Sequence, residues 1–331
     1  MKLRPENLYT NKKINYGKII VFLTALAYFF SGPGQTYFIS GFIDVYVNEL
    51  GWARTTVSTL YSLATLLSGL LIYNIGYIAD RIGTKKTMII VGILLGVTCF
   101  WNSFNVNYIT LVIGFFFSRF FGQGSMKLLP SLVIPNWFVK KRAKAFSLFA
   151  IGNVVASTFM PIINASLFTV TSWRNVWRLW GILVWVIFVP LTYFYLFDKP
   201  EDIGLLPDNE KKKEESSKDF KFSKDEVYFS LKEAMKTFSF WGMLYCHMIL
   251  PLISTGLTFH LISILGSKNV TPGQSALILS LFSVVSFPVT LIAGRFMDKV
   301  KLNHIAALIS GLQLGSFSKK PAEPIRQNQE K

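Results

Sequence analysis

Long apolar runs separated by short polar segments extend through most of the chain. Several exceed the roughly 18 residues that a helix needs to cross a bilayer. Because lipid offers the backbone no hydrogen bonds, such runs form helices, whose peptide groups bond to one another. The pattern predicts eight membrane spans, numbered one to eight, at residues 19–46, 56–79, 88–104, 108–134, 145–168, 176–197, 240–265 and 274–297. A ninth run begins near Leu302 and stops near Ser316.

Basic residues are unevenly distributed among the polar segments. They are abundant in the leader and after spans two, four, six and eight, whereas the other segments hold Arg54, Arg174, Arg178 and Lys268. Cytoplasmic loops carry such an excess, so the N-terminus is predicted to be cytoplasmic. The net charge of +16 would suggest nucleic acid for a soluble protein. Here the bases flank apolar runs, so membrane lipids are the expected partners and no nucleic-acid partner is predicted.

A loop of glycines and charges, residues 76–86, joins spans two and three, and a degraded copy at residues 294–301 ends span eight. In both copies an aspartate follows the first glycine by four residues. A charge cluster at a membrane edge usually marks only a helix end in water. The order and the repetition, however, resemble the loop between the second and third helices of the major facilitator superfamily. That resemblance implies a conformational latch formed by Gly76, Asp80, Arg81, Gly83, Gly294 and Asp298.

Four further stretches, residues 32–40, 136–138, 200–207 and 256–261, resemble the monocarboxylate and oxalate/formate branch of that superfamily. The resemblance implies an all-α, polytopic membrane protein with the major facilitator-type fold, in which two six-helix halves rock around a central cavity. The implied activity is secondary active transport by alternating access. The implied substrate is a small molecule, an organic anion such as a monocarboxylate, and the implied location is the cell (plasma) membrane.

The sequence departs from that branch in two places. The branch typically has an arginine in span eight, four residues before the glycine of the second loop, where this chain has Thr290. The ninth run has only about 15 residues, roughly 22 Å of helix against a core of ~30 Å, and a polar tail follows it. We therefore expect a C-terminally truncated carrier with impaired activity. The alternative is a non-transporting membrane protein or an inactive remnant.

The same reading predicts five regions along the chain. They are a cytoplasmic leader at residues 1–18, an N-terminal six-helix bundle at 19–197, a cytoplasmic linker at 198–237, a partial C-terminal bundle at 238–316 and a polar tail at 317–331. The linker prediction rests on a long polar stretch with a charged run that separates six spans from the rest.

Span one contains Gly-Pro-Gly at residues 32–34. Proline removes a backbone donor and glycine lowers helix stability, so this point is either a tolerated kink or a break whose face lines the cavity. In the second case Gln35 and Tyr37 offer hydrogen bonds to a substrate.

Ionisable groups inside a membrane are costly and are candidates for function. Arg119 and Lys127 lie deep in span four. Arg119 either bonds carbonyls of a neighbouring broken helix or faces substrate, and Lys127 either snorkels to the membrane edge or binds a ligand. His260 in span seven is either a packing residue or a contact to substrate or protons. The predicted substrate-binding residues are Gln35, Tyr37, Arg119 and His260.

Chemistry other than transport finds little support in the sequence. No metal-ligand cluster, phosphate-binding loop or nucleotide-binding glycine motif occurs in a suitable context. We therefore predict no enzyme activity, no metal site and no cofactor. No obligate protein partner is evident.

Overall fold

A computed structural model describes residues 16–209, 233 and 235–297. The chain divides into two units, one made of Met1–Asp219 with Thr255–Phe287 and the other of Phe220–Ser254 with Pro288–Lys331. Regular structure in the described residues is helical throughout. Within these residues five helices are long and apolar enough to cross a membrane, judged by length and composition, and Pro251–Gly266 and Pro272–Val285 are shorter apolar helices.

The observed helices follow the predicted spans closely. Span one consists of Tyr16–Phe30, a 3₁₀ turn at Gly32–Gly34 and Thr36–Leu50; span two of Arg54–Leu71 and Tyr73–Ile82; span three of Thr84–Asn102; span four of Tyr108–Phe117, Ser118–Ser125 and Met126–Trp137; span five of Arg142–Val170; span six of Trp173–Leu183, Val184–Phe188 and Val189–Tyr195; span seven of Phe238–Gly266; and span eight of Pro272–Met297. The leader, the ninth run, the tail and most of the predicted linker lie outside the described residues, so the five predicted regions stay a prediction.

The break in span one follows from its local sequence. Pro33 has no backbone N–H and glycine flanks it on both sides, so the α-helical ladder ends at Phe30. The 3₁₀ turn is closed by the N–H of Gln35, which donates to the carbonyl of Gly32 at 2.7 Å. The helix then restarts at Thr36. The Gly-Pro-Gly sequence therefore produces a true interruption of the helix.

Span four carries a feature that the sequence analysis missed. Residues Ser118–Ser125 form a π-helical segment between two α-helices, and Val184–Phe188 form a second one in span six. An uninterrupted α-helix would place Arg119 and Lys127, eight residues apart, about 80° apart around the helix axis. The π-helical segment between them changes that angle. π-helical turns are rare and are frequent at functional sites.

Two buried apolar clusters lie in the first unit. One includes Tyr16, Phe30, Val133 and Trp137, and the other is built mainly from aromatic side chains of spans one and six. In the second cluster three tryptophans of span six donate hydrogen bonds to residues of spans one and five. The pairs are Trp173 with Glu49 at 2.7 Å, Trp177 with Tyr46 at 3.0 Å and Trp180 with Asn164 at 2.9 Å. Span six is thereby fixed against spans one and five by directed bonds as well as by packing.

Candidate functional site

The interruption of span one packs directly against the π-helical segment of span four. A methyl group on Gly34 would lie 2.6 Å from the backbone nitrogen of Gln123 and 2.7 Å from Cα of Gly122. A methyl group on Gly122 would in turn lie 2.7 Å from Cα of Gly34. Backbones can approach this closely only where both residues lack a side chain. We call this contact of Gly32–Gly34 with Ser118–Ser125 the crossing.

Arg119 is the charged residue of the crossing. Its Nη1 donates to the carbonyl oxygen of Gly34 at 3.1 Å and to Oγ1 of Thr36 at 3.3 Å. The side chain is 4% exposed, and its Nε has no hydrogen-bond partner among the described residues. The break in span one leaves carbonyl groups without helical partners, and a guanidinium is a suitable donor to them. Arg119 therefore takes the carbonyl-bonding position that the sequence analysis gave as one of its two alternatives.

The guanidinium of Arg119 has only neutral neighbours in the part of the chain that the structure describes. Its Cζ lies 5.1 Å from the ring centroid of Tyr61, and the Tyr61 hydroxyl shares a 2.9 Å hydrogen bond with Thr36. The salt bridge found in this part of the chain joins Arg54 to Asp44 instead. The crossing therefore contains a buried positive charge that no described negative charge balances, and such a charge is energetically costly.

Span seven reaches the same neighbourhood through aromatic packing. Phe259 stacks on Tyr61 with ring centroids 4.4 Å apart, and His260 meets Phe259 edge-on at 5.1 Å. Of the predicted substrate-binding residues, Arg119 and His260 are thus connected through the rings of Tyr61 and Phe259.

The remaining predicted residues lie beside the crossing or away from it. Gln35 follows Gly34 directly and donates from Nε2 to Oγ of Ser31 at 2.9 Å. Tyr37 is buried and its hydroxyl donates to Asn153 at 3.4 Å. Lys127 is exposed. No described contact connects Lys127 to Arg119.

The predicted latch is open at its first glycine, whereas the crossing is tight. A methyl group on Gly76 would meet nothing within 4 Å, and the Asp80 side chain is exposed. Arg81 lies over the ring of Tyr77, 4.4 Å from its centroid. Gly294 belongs to the helix Pro272–Met297, and Asp298 lies outside the described residues. The latch role therefore stays a prediction.

Two carboxylates that the sequence analysis did not select, Asp198 and Asp208, accept hydrogen bonds from backbone groups in the segments that follow spans two and four. Oδ1 of Asp198 accepts from the backbone N–H of Lys85 at 2.6 Å, beside Gly83 with its φ of 93°. Asp208 accepts from the backbone N–H groups of Val139, Lys140 and Lys141 at 3.1, 2.7 and 3.2 Å. The only sequence signal was position: both aspartates follow span six, close to the 200–207 stretch. We call this the Asp198 end.

A second charged cluster lies at the opposite end of span one. Arg54 at the start of span two forms the salt bridge with Asp44 and donates to Oγ of Ser263 in span seven. Ser263 also donates to Oδ1 of Asp44 at 3.3 Å. These bonds join spans one, two and seven, and we call this the Asp44 end.

Apolar helices broken at their middle around a buried cation define a polytopic α-helical membrane protein with the major facilitator-type fold. The family model of the Major Facilitator Superfamily matches residues 24–318, and the chain belongs to that family. No curated protein sequence matches the chain.

Solved transporters share the fold at low sequence identity. A bacterial homologue of the human lysosomal transporter Spinster, inward-facing and unoccupied, matches with a TM-score of 0.61 and 15% identity over 86% of this chain and 64% of that one. Its inward-facing, occupied form matches with 0.61 and 14% over 88% and 63%. A D-xylose-proton symporter matches with 0.56 and 13% over 86% and 70%. The chain thus spans slightly less than two thirds of the length of the Spinster homologue.

Proposed function

We propose that the protein is a secondary transporter that moves a small solute across a membrane by alternating access. Membership of the Major Facilitator Superfamily and the shared fold of solved transporters support the proposal. The observation that carries it is the crossing, because interrupted helices that meet near the middle of the membrane are where transporters bind solutes.

We propose a small organic anion, such as a monocarboxylate, as the substrate. Arg119 is buried, it has neutral partners in the described structure, and its Nε donor is unused. A bound carboxylate would supply the missing negative charge and accept from that donor. Charge compensation at Arg119 is thus the physical reason to favour an anion over a neutral solute.

The other candidate residues receive roles that follow from their positions. Gln35 is half-buried next to Gly34 and can exchange its bond to Ser31 for one to substrate. Tyr37 follows Thr36, a partner of Arg119, and its long bond to Asn153 leaves the hydroxyl available. His260 is proposed to contact substrate or carry a proton when spans seven and two separate at the Tyr61–Phe259 stack.

The remaining assignments rest on the sequence. The latch is proposed to act through Gly76, Asp80, Arg81, Gly83, Gly294 and Asp298. The basic segments support a cytoplasmic N-terminus. The plasma membrane is proposed as the location from the resemblance alone. The bonds at the Asp198 end connect the segment after span six to the loops after spans two and four, and basic residues cluster in those same segments.

Uptake of labelled lactate into proteoliposomes that contain the full 331-residue chain tests the proposal. We expect saturable uptake that falls about 100-fold or more in Arg119→Gln, because a bound anion would lose its counter-charge. Lys268→Gln removes a positive charge from an exposed position outside the crossing and should leave uptake unchanged.

The possible results separate the two parts of the proposal. Equal uptake by the parent chain and Arg119→Gln would refute the role of Arg119 in anion binding while leaving transport intact. Absence of flux for lactate and for a panel of other small anions, from correctly folded protein, would favour the alternative of a non-transporting membrane protein.

A further inference from the structure

A cavity of about 310 Å³ lies on the Asp44 side of the crossing. Its walls come from the second helix of span one, from span five and from the helices of spans seven and eight, all within the first unit. The volume is at the lower limit of the range for small-molecule sites. Tyr37, which follows the crossing directly, lines the cavity, and Glu49 near the end of that helix lines it too.

The walls that the structure describes carry negative charge and no positive charge. Among the described residues the lining includes Asp44 and Glu49 but no lysine, arginine or histidine. Asp44 is neutralised by its salt bridge with Arg54. Glu49 accepts a hydrogen bond from Nε1 of Trp173, a neutral donor, so its charge is left uncompensated by that bond. An anion is therefore disfavoured in this cavity and a cation is favoured.

Asn164 supplies a second, independent indication of a ligand. Its side chain is 2% exposed and lines the cavity, and its Oδ1 accepts from Nε1 of Trp180. Its Nδ2 has no hydrogen-bond partner within the described structure. An unsatisfied buried donor costs roughly 1–3 kcal/mol, so this group favours a ligand that brings an acceptor. The rings of Tyr37 and Phe168 also line the cavity and can face a cation.

We propose that this cavity is a second binding site, specific for a small organic cation that carries a hydrogen-bond acceptor. The cationic group lies toward Glu49 and the aromatic rings, and the acceptor takes the donor of Asn164. The site goes beyond the proposed anion transport at Arg119. It shares Tyr37 with the candidate residues for the anion and uses none of the groups that contact Arg119.

Binding of labelled choline to the full chain in phosphatidylglycerol nanodiscs tests the site, at an ionic strength of about 0.15 M to screen surface charge. Choline has a quaternary ammonium and a hydroxyl acceptor. We expect it to bind at least about tenfold more tightly than 3,3-dimethylbutan-1-ol, its neutral analogue of equal shape, since the cation adds electrostatic and cation–π attraction.

Two variants test whether the negative charge of Glu49 attracts choline. Glu49→Gln keeps an acceptor for Trp173 and removes the negative charge, so choline affinity should fall about three- to tenfold without loss of folding. Glu49 and Glu201 are both exposed, but Glu201 does not line the cavity, so Glu201→Gln makes the same chemical change outside the site and should have no effect. Equal losses in both variants, or equal binding of choline and its neutral analogue, would overturn the proposal.

A comparison of the methyl ether of choline, which has an acceptor and no donor, with tetramethylammonium isolates Asn164. The parent chain should prefer the ether about three- to tenfold, the contribution of one hydrogen bond. Asn164→Asp retains an acceptor for Trp180 but replaces the Nδ2 donor, so that preference should disappear. A preference that persists would refute the role of Asn164. Arg119→Gln should retain choline binding even where anion uptake is lost, which separates this site from the proposed transport function.

Discussion

The crossing and the loop at residues 76–86 both combine glycine with arginine, but the structure uses the two regions differently. At the crossing, Gly34 and Gly122 bring two backbones together and Arg119 bonds the carbonyl that the break exposes. Residues 76–86 are helical apart from Gly83, and there Gly76 has open space around it and Asp80 is exposed. A glycine near a charge in sequence does not show which backbone it approaches, and of these two regions the crossing is the one in which glycines let two backbones meet.

The comparison predicts its largest effect for the glycines. Gly34→Ala should reduce stability by about 3 kcal/mol or prevent folding, because the new methyl group meets backbone atoms that cannot move aside. Gly76→Ala should be neutral or slightly stabilising, since its site is open and alanine favours a helix. Thermal unfolding of both variants in detergent measures the difference. Similar midpoints for the two would contradict the tight packing of the crossing.

Substitutions of Arg119 and Arg81 should give the next largest difference in stability. Arg119→Ala should cost about 2–3 kcal/mol, because it removes charged hydrogen bonds and leaves the Gly34 carbonyl and Thr36 without their donor. Arg81→Ala removes an exposed cation over Tyr77 and should shift the unfolding midpoint little. An equal shift for both would show that Arg119 is not structurally engaged. Stabilisation of the parent chain, but not of Arg119→Ala, by added lactate would tie the fold to the proposed substrate.

Asp198 and Asp208, which hold the Asp198 end, are expected to respond to acid in opposite directions. Burial raises the pKa of Asp198 above its ordinary 3.8, although the N–H of Lys85 opposes the shift. The folded state therefore holds that proton more tightly, and the contribution of Asp198 becomes more favourable as pH falls through its folded pKa toward 3.8. For Asp208 slight burial acts to raise the pKa, but N–H groups of Lys140, Val139 and Lys141 outweigh it and the pKa is lowered.

The stabilisation by Asp208 is therefore complete above 3.8 and is lost as pH falls through its lowered pKa. Asp208→Asn should flatten the loss of stability below about pH 4, whereas Asp198→Asn should make stability change less favourably as pH falls toward about 4 from above. Thermal midpoints recorded between about pH 3 and pH 6 test both slopes. A change of the same sign in the two variants would contradict the assigned pKa directions.

Asp80 is expected to give the smallest effect on stability. Asp80→Asn removes an exposed charge for which the described structure gives no partner, so the unfolding midpoint should not change measurably. The same variant should slow lactate uptake if Asp80 acts as a latch during the transport cycle. Unchanged uptake together with unchanged stability would remove Asp80 from the latch.

The sequence predicted the fold class and the helices well, because apolar run length is a direct consequence of bilayer thickness. Predicted span five, residues 145–168, lies within the observed Arg142–Val170, and the expected disturbance at Gly-Pro-Gly is a real interruption. The π-helical segment escaped detection because a π turn leaves no pattern in hydrophobic spacing. Asp198 and Asp208 escaped it because their partners are backbone N–H groups, which every residue type possesses.

The π-helical segment has a consequence for how span four tolerates changes in length. Hydrogen bonds in a π turn skip one more residue than in an α-helix, so Ser118–Ser125 absorbs an extra residue without breaking the span. Losing one residue there would let the segment close as an ordinary α-helix, whereas losing one from the α-helix Tyr108–Phe117 would rotate everything that follows by about 100°. The whole of Met126–Trp137 would then change its facing, turning Val133 and Trp137 out of their packing and Lys127 away from its exposed side. The π turn is thus a point at which span four can change its length without changing the orientation of its second half.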